Sequence, residues 1–321
     1  MGMFKTGTGI KFIILPLLLA AGARVAAADE LKVPVAASRG EDGAIFLSGA
    51  DCPTLERQAS ALSEWRKRLH EPAGSPEACA CAADACSLKV SGSAPDFVNL
   101  FHGVKAGRWG PNCWNTALVS DKILAAPSFT SPEEMTFWMK SPLCRQLGGG
   151  ELPRPGDIIA IRNQAGEEVH GFTYLTAELS FSKNYLIAMA PYALQSPEEV
   201  YQEFPVAQEC RLPGNAAPGC AARSDYFRCS TLADYLPAAG LPADAEYAGT
   251  AAKVLAAEKA LSDLVLRWKT DPELKARAPQ ILAAANDILL PARTLAAGRP
   301  GLLWNALALR IDSLLHQISL I

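Results

Sequence analysis

Gly110-Pro111-Asn112-Cys113-Trp114-Asn115 places a cysteine where a helix is expected to start, with Asn112 as its cap. A thiol in a first helical turn meets the positive end of the macrodipole and unpaired backbone N–H groups. Both favour the thiolate, which is the nucleophile. The same N–H groups could hold an oxyanion during acyl transfer. The competing expectation is a cysteine buried as a small hydrophobe, or one paired with Cys144. Of the four histidines, His70 and His102 fall in polar or loop-like contexts and His316 in an apolar helix. His170 opens a strand-like run, Gly171-Phe172-Thr173-Tyr174-Leu175, from which its ring could reach a helix start as general base and then acid. Asn184 is the candidate to orient that imidazole, with Ser182 as its rival. A plain strand histidine and a turn asparagine are the alternatives.

The elements that must position these groups read as follows. Leu55, Ala59, Leu62, Trp65 and Leu69 recur at helical spacing. Ser131-Pro132-Glu133-Glu134 and Ser196-Pro197-Glu198-Glu199 both have the form of a capping box with proline at the first helical position. Between them, 157–162, 169–176 and 179–189 read as three strands in quick succession, with Gly166 in the first turn. One helix followed by close antiparallel strands is an α+β order. Beyond residue 243 the chain turns rich in Ala and Leu. Val254, Ala257, Leu261, Leu264 and Trp268 form one apolar stripe, and Leu303, Leu307, Ile311, Leu314, Leu315 and Ile318 another, with Pro272, Pro279, Pro291 and Pro300 as punctuation. These helices are expected to pack on the main domain away from Cys113, leaving its cleft open.

Taken together, Cys113 at a helix start, Pro155-Gly156-Asp157 leading a strand, and His170 opening the next strand resemble the NlpC/P60 superfamily of papain-like cysteine hydrolases. The resemblance covers 110–204. It implies a papain-like α+β core, a helix-borne Cys113 nucleophile packed on an antiparallel sheet, His170 as base, and cleavage of an amide bond, most often in peptidoglycan peptides. At the nucleophile the family usually has Asp-Cys-Ser, whereas this chain has Asn112-Cys113-Trp114. A non-catalytic binding protein on the same fold and an acyltransferase or lipid-acting relative are the alternatives. No metal or organic cofactor is expected.

Export is the other expectation. Lys5 and Lys11, the apolar run from Phe12 to Leu19, and Ala26-Ala27-Ala28 before Asp29 have the order of a cleavable signal peptide over 1–28. The apolar run is short for a membrane anchor, so no integral segment is expected after processing, and the destination is the periplasm or the exterior. Nine cysteines fit that compartment. Eight lie in stretches rich in Pro, Gly, Ala and Ser, and Cys113 is the odd one. A metal site at Cys79, Cys81 and Cys86 is the lesser alternative. A formal net charge of −3 gives no reason to expect nucleic acid as a partner. The expected division is a disulfide-stapled segment 29–95, the hydrolase core 96–205, a cysteine-containing loop 206–243 and a helical region 244–321.

Overall fold

The computed structural model describes residues 34–321 apart from 73, 76, 84, 187, 189, 215–218 and 240–243. The expected signal segment 1–28 lies outside the described residues. The N-terminal part is built of β1 (Ala36–Arg39), β2 (Ile45–Gly49), α1 (Cys52–Arg68), β3 (Ala80–Ala82) and β4 (Ala85–Lys89). Its strands form an antiparallel sheet in the order β1-β2-β4-β3. The segment expected to be held by disulfides thus also contains a small sheet, made of strands too short for their alternation to stand out. Asp51 caps α1 by accepting from Thr54 N, and Leu55, Leu62 and Trp65 on its inner face are fully buried. They join Ile45, Leu47, Phe181 and Tyr192 in one cluster. Among the described residues, one shared core therefore joins this N-terminal part to the sheet that follows.

That second part comprises α2 (Asp96–Phe101), α3 (Cys113–Ser120), α4 (Pro132–Lys140), β5 (Cys144–Gln146), β6 (Ile158–Asn163), β7 (Glu168–Tyr174), β8 (Ser180–Lys183), β9 (Tyr192–Gln195), α5 (Pro197–Glu203) and β10 (Ala222–Cys229). The strands form an antiparallel sheet in the order β5-β10-β6-β7-β8-β9. β10 lies inside the stretch expected to be a loop, 206–243. It runs between β5 and β6, and the Cys144–Cys229 bridge fastens its end to β5. Ile158, Ala160 and Phe227 pack with Leu118, Met135 and Trp138 on the face that carries α3 and α4. Ile159, Ile161, Phe172 and Tyr226 pack with Val200 and Tyr201 on the other. A bulge leaves Val169 without a partner across the ladder, so Arg162 faces Glu168 instead. Arg162 then pairs with Glu168 at 2.6 Å and with Asp225 at 2.9 Å.

Pro155-Gly156-Asp157 is a structural turn. Gly156 has φ +88°, and a Cβ there would run into Trp65 and Arg68, so only glycine fits the close approach of α1. Asp157 accepts from Arg154 N at 2.8 Å and pairs with Arg228 at 2.8 Å. The motif thereby locks the start of β6 to β10.

The C-terminal helices are α6 (Leu232–Ala238), α7 (Ala245–Arg267), α8 (Pro272–Ala276), α9 (Ala278–Ala297) and α10 (Leu302–Leu320). The two apolar stripes meet α9 in one cluster containing Val254, Leu261, Leu289, Ile311 and Leu314. Pro272 opens a helix as expected, whereas Pro291 sits inside α9. The bundle packs on the segments that flank Cys113 on either side. Phe129 N donates to Gln317 Oε1 at 2.7 Å and Ser131 N to Ser313 Oγ at 3.0 Å, and a Cβ on Gly110 would meet Gln317 and Val265. Arg310 reaches Glu134 at 3.0 Å and Glu258 at 3.1 Å. That pairing explains a correction at α4. Ser131 caps Glu134 N as expected, but the Glu134 carboxylate turns to Arg310 and does not return to Ser131 N. The second motif, Ser196 to Glu199, is a complete capping box.

Candidate functional site

Cys113 opens α3, and Asn112 caps it by accepting from Asn115 N at 3.0 Å. The Asn112 amide also donates to Thr130 O at 2.7 Å, and Asn115 accepts from Ser128 N at 2.9 Å. These bonds tie the helix start to the loop before α4, so the thiol is rigidly placed. Among the described residues it is the one unpaired cysteine, and it is buried, 8% exposed. The other eight form Cys52–Cys79, Cys81–Cys86, Cys144–Cys229 and Cys210–Cys220.

The arrangement around the sulfur departs from the expected dyad. A Cβ on Gly171 would touch Trp114 and Met135, so Gly171 faces α3 and α4. Alternation along β7 sends His170 to the opposite face. There its ring stacks on Phe204, with centroids 4.0 Å apart and planes at 10°, and Phe172 follows on the same side. Neither ring nitrogen finds a hydrogen-bond partner among the described residues, and burial pulls the imidazole down to about 3. His170 is thus neutral, fully buried and turned away from Cys113. Nor does a third polar group reach it. Asn184 Oδ1 accepts from Ser182 Oγ at 2.5 Å and from Gln195 Nε2 at 2.8 Å, and Ser182 Oγ accepts from Gln195 at 2.7 Å. Asn184 and Ser182 brace β8 against β9 and leave the imidazole alone. The parity of a strand cannot be read from one residue's position at its start, which is why the sequence suggested the dyad.

What does act on the thiol is Lys183. Burial pushes Cys113 up to about 11 despite hydrogen bonds from the backbone of Gly171 and Trp114 and the nearby Lys183 charge. Burial likewise pulls Lys183 down to about 8, with Cys113 as the offsetting charge. Lys183 donates to Tyr185 O at 2.5 Å. Its position could have been anticipated: it shares a face of β8 with Phe181, which packs on Trp65.

Cys113 should therefore be unreactive in the native protein. With its thiol near 11, about one molecule in a thousand carries the thiolate at pH 8, against about one in four for an ordinary cysteine. Iodoacetamide at that pH is expected to modify Cys113 more than about 100-fold more slowly than a free exposed cysteine. Modification becomes complete only on unfolding, and mass spectrometry of the non-reduced protein follows both rates. Native labelling at the rate of an exposed thiol would contradict the burial.

A second feature lies on the face away from Cys113. Tyr174, Tyr201, Tyr226 and Arg211 line a groove of about 640 Å3, rimmed by Leu152 and Leu212. Those two leucines are 82% and 59% exposed. The walls are fixed: Tyr201 bonds Ser224 at 2.9 Å, Tyr226 donates to Arg211 O at 2.7 Å, and the Arg211 guanidinium lies 4.2 Å from the centre of the Tyr201 ring. The Cys210–Cys220 bridge braces the chain just before Arg211. Glu151 and Glu198 also line the groove, and Glu198 pairs with Arg211 at 2.5 Å, so rigid amphipathic rings and an apolar rim, rather than a free charge, are what it offers an extended peptide ligand. No local motif announces this groove, because its lining comes from six separate stretches of chain, around residues 149–153, 159, 174–177, 197–201, 208–213 and 226.

Among the described residues, no helix is long and apolar enough to cross a membrane. No protein-family model, curated protein or solved structure matches the chain.

Proposed function

We propose that this is an exported, disulfide-braced binding protein that holds an extended cell-wall peptide in the groove between Tyr174, Tyr201 and Tyr226. The reading rests on one observation: His170 stacks on Phe204 on one face of the sheet, while Cys113 meets the Gly171 backbone and Lys183 on the other. A thiol near 11 without an imidazole beside it lacks the activated pair that acyl transfer needs. The groove offers the fixed aromatic surface and exposed leucine rim of a docking site. Four disulfides fit a chain that works in an oxidising compartment.

The thiol hydrolase or acyltransferase reading keeps one observation in its favour, namely Lys183, held near 8 and acting on Cys113. A lysine so placed can accept a proton in the physiological range. One experiment separates the two. The full mature chain is incubated with purified peptidoglycan sacculi, and both co-sedimentation and released fragments are measured. Binding without fragment release is expected, unchanged in Cys113→Ser and at least about tenfold weaker in the Leu152→Asp/Leu212→Asp double variant. Fragment release that Cys113→Ser abolishes would establish the hydrolase reading instead. Neither retention nor release would remove the cell wall as the ligand.

A further inference from the structure

The N-terminal sheet brings two disulfides into contact. Cys81 and Cys86 face each other across the β3–β4 ladder and are bridged. Cys79, two residues before Cys81 along the extended chain, is bridged to Cys52 at the start of α1. Residues two apart in an extended segment project to the same side, so both bridges emerge together. Cys52 Sγ and Cys81 Sγ, which belong to different bridges, lie 3.4 Å apart. Both sulfurs are disulfide-bonded, so neither carries a proton and the contact is not a hydrogen bond. The sulfurs of Cys52, Cys81 and Cys86 all fall within 4.8 Å of one another. Cys81 is exposed, Cys52 and Cys79 are half-buried, and Cys86 is buried.

We infer that these four cysteines form a redox-active site, a disulfide relay whose substrates are dithiols. A thiolate of an external dithiol attacks the exposed Cys81 sulfur. The Cys81–Cys86 bond breaks, and Cys86 leaves as thiolate and takes up a proton. The second thiol of the dithiol attacks its own sulfur in the mixed disulfide, departs as an oxidised disulfide and releases Cys81 as thiolate. The protein has then gained the two electrons that the dithiol lost. Cys81 next attacks Cys52 across the 3.4 Å contact. The Cys52–Cys81 bond forms, Cys52–Cys79 breaks, and Cys79 leaves as thiolate and is protonated by water. The second exchange moves no net electrons. It carries the open thiol from the β3–β4 rim to Cys79 and joins α1 directly to β3. Exchange needs the attacking thiolate within reach of a disulfide sulfur, and the contact supplies that reach.

Peptide mapping of the full chain tests the relay. In a Cys86→Ser variant, Cys81 is left as a thiol against the Cys52–Cys79 bridge. After trapping with N-ethylmaleimide at low pH and digestion without reductant, a Cys52–Cys81 bridge with labelled Cys79 is expected in about half of the molecules, since the two exchange partners close loops of nearly equal length. Wild-type protein given one equivalent of dithiothreitol and trapped in the same way should yield the same bridge, with Cys79 and Cys86 labelled. The wild-type arm stands if the variant fails to fold. Intact Cys52–Cys79 with labelled Cys81 throughout, in whichever arm is folded, would overturn the relay.

Discussion

Replacing Arg310 with methionine in the intact chain is expected to lower the unfolding free energy by about 3–5 kcal/mol. Arg310 and Glu134 are nearly inaccessible, at 5% and 0% exposed, and Glu258 is at 4%. The guanidinium lies 3.0 Å from Glu134 and 3.1 Å from Glu258, and it donates to Phe129 O at 2.8 Å and to Ser128 Oγ. Removing it strands two carboxylates in the buried interior. Burial already pushes the Glu134 carboxyl up, with Arg310 as the main opposing charge. The triple variant Arg310→Met/Glu134→Gln/Glu258→Gln removes all three charges and should recover most of the loss, because the cost lies in uncompensated charge rather than in lost attraction. Urea unfolding of the three proteins gives both numbers. A single variant as stable as the triple would show that the cluster is solvated. Since Ser128, Phe129 and Glu134 flank the Asn112 cap partner Thr130, the single variant should also raise the labelling rate of Cys113.

The second large effect is on the acid limb of the stability curve. His170 is pulled down to about 3 by burial, and His102 to about 4 by burial and the nearby Arg39 charge. Both folded values lie below the ordinary one near 6.5, so the unfolded chain binds more protons throughout the interval between. Stability from keeping each imidazole neutral is fully present above about pH 6.5 and is lost as the pH falls towards the folded value, by about 1.4 kcal/mol per pH unit and group. Carboxyls raised by burial, such as Asp121 and Glu168, act in the opposite sense. The difference between wild type and a single variant therefore isolates the histidine. His170→Phe keeps a flat ring for Phe204 to stack on and should lose about 2–3 kcal/mol less than wild type between pH 6.5 and 4.5. Peptide retention should not change in that variant. Parallel acid limbs in the two proteins would mean that the His170 ring is hydrated.

Much of the fold was legible in the residues. Helix starts are local events: Asn112, Ser131 and Ser196 each cap the N–H three positions on, so a few residues carry the whole signal. The helical stripes were readable because Leu261, Ile311 and Leu314 repeat often enough to define a face. β10 was not readable. Its alternation is interrupted by Arg223 and Asp225, whose charges make sense only once Arg162 stands on the neighbouring strand. The domain boundaries were blurred for a similar reason, as Trp65 and Phe181 lie far apart in the chain yet pack ring to ring.

The candidate site divides along the same line. The sequence by itself determined that Cys113 begins a capped helix and is the odd cysteine, since both facts follow from neighbouring residues and a count. It also determined that His170 lies in a strand. Only the tertiary structure decided which face of that strand the imidazole takes. Gly171 is fixed against Trp114 by the packing of α3, and the two-residue period then sends His170 to Phe204. One step of parity separates a dyad from a stacked core histidine, and no local preference encodes that step. The meeting of Cys52 with Cys81 and the convergence of three tyrosines are likewise properties of packing, because each depends on strand order rather than on any residue's neighbours.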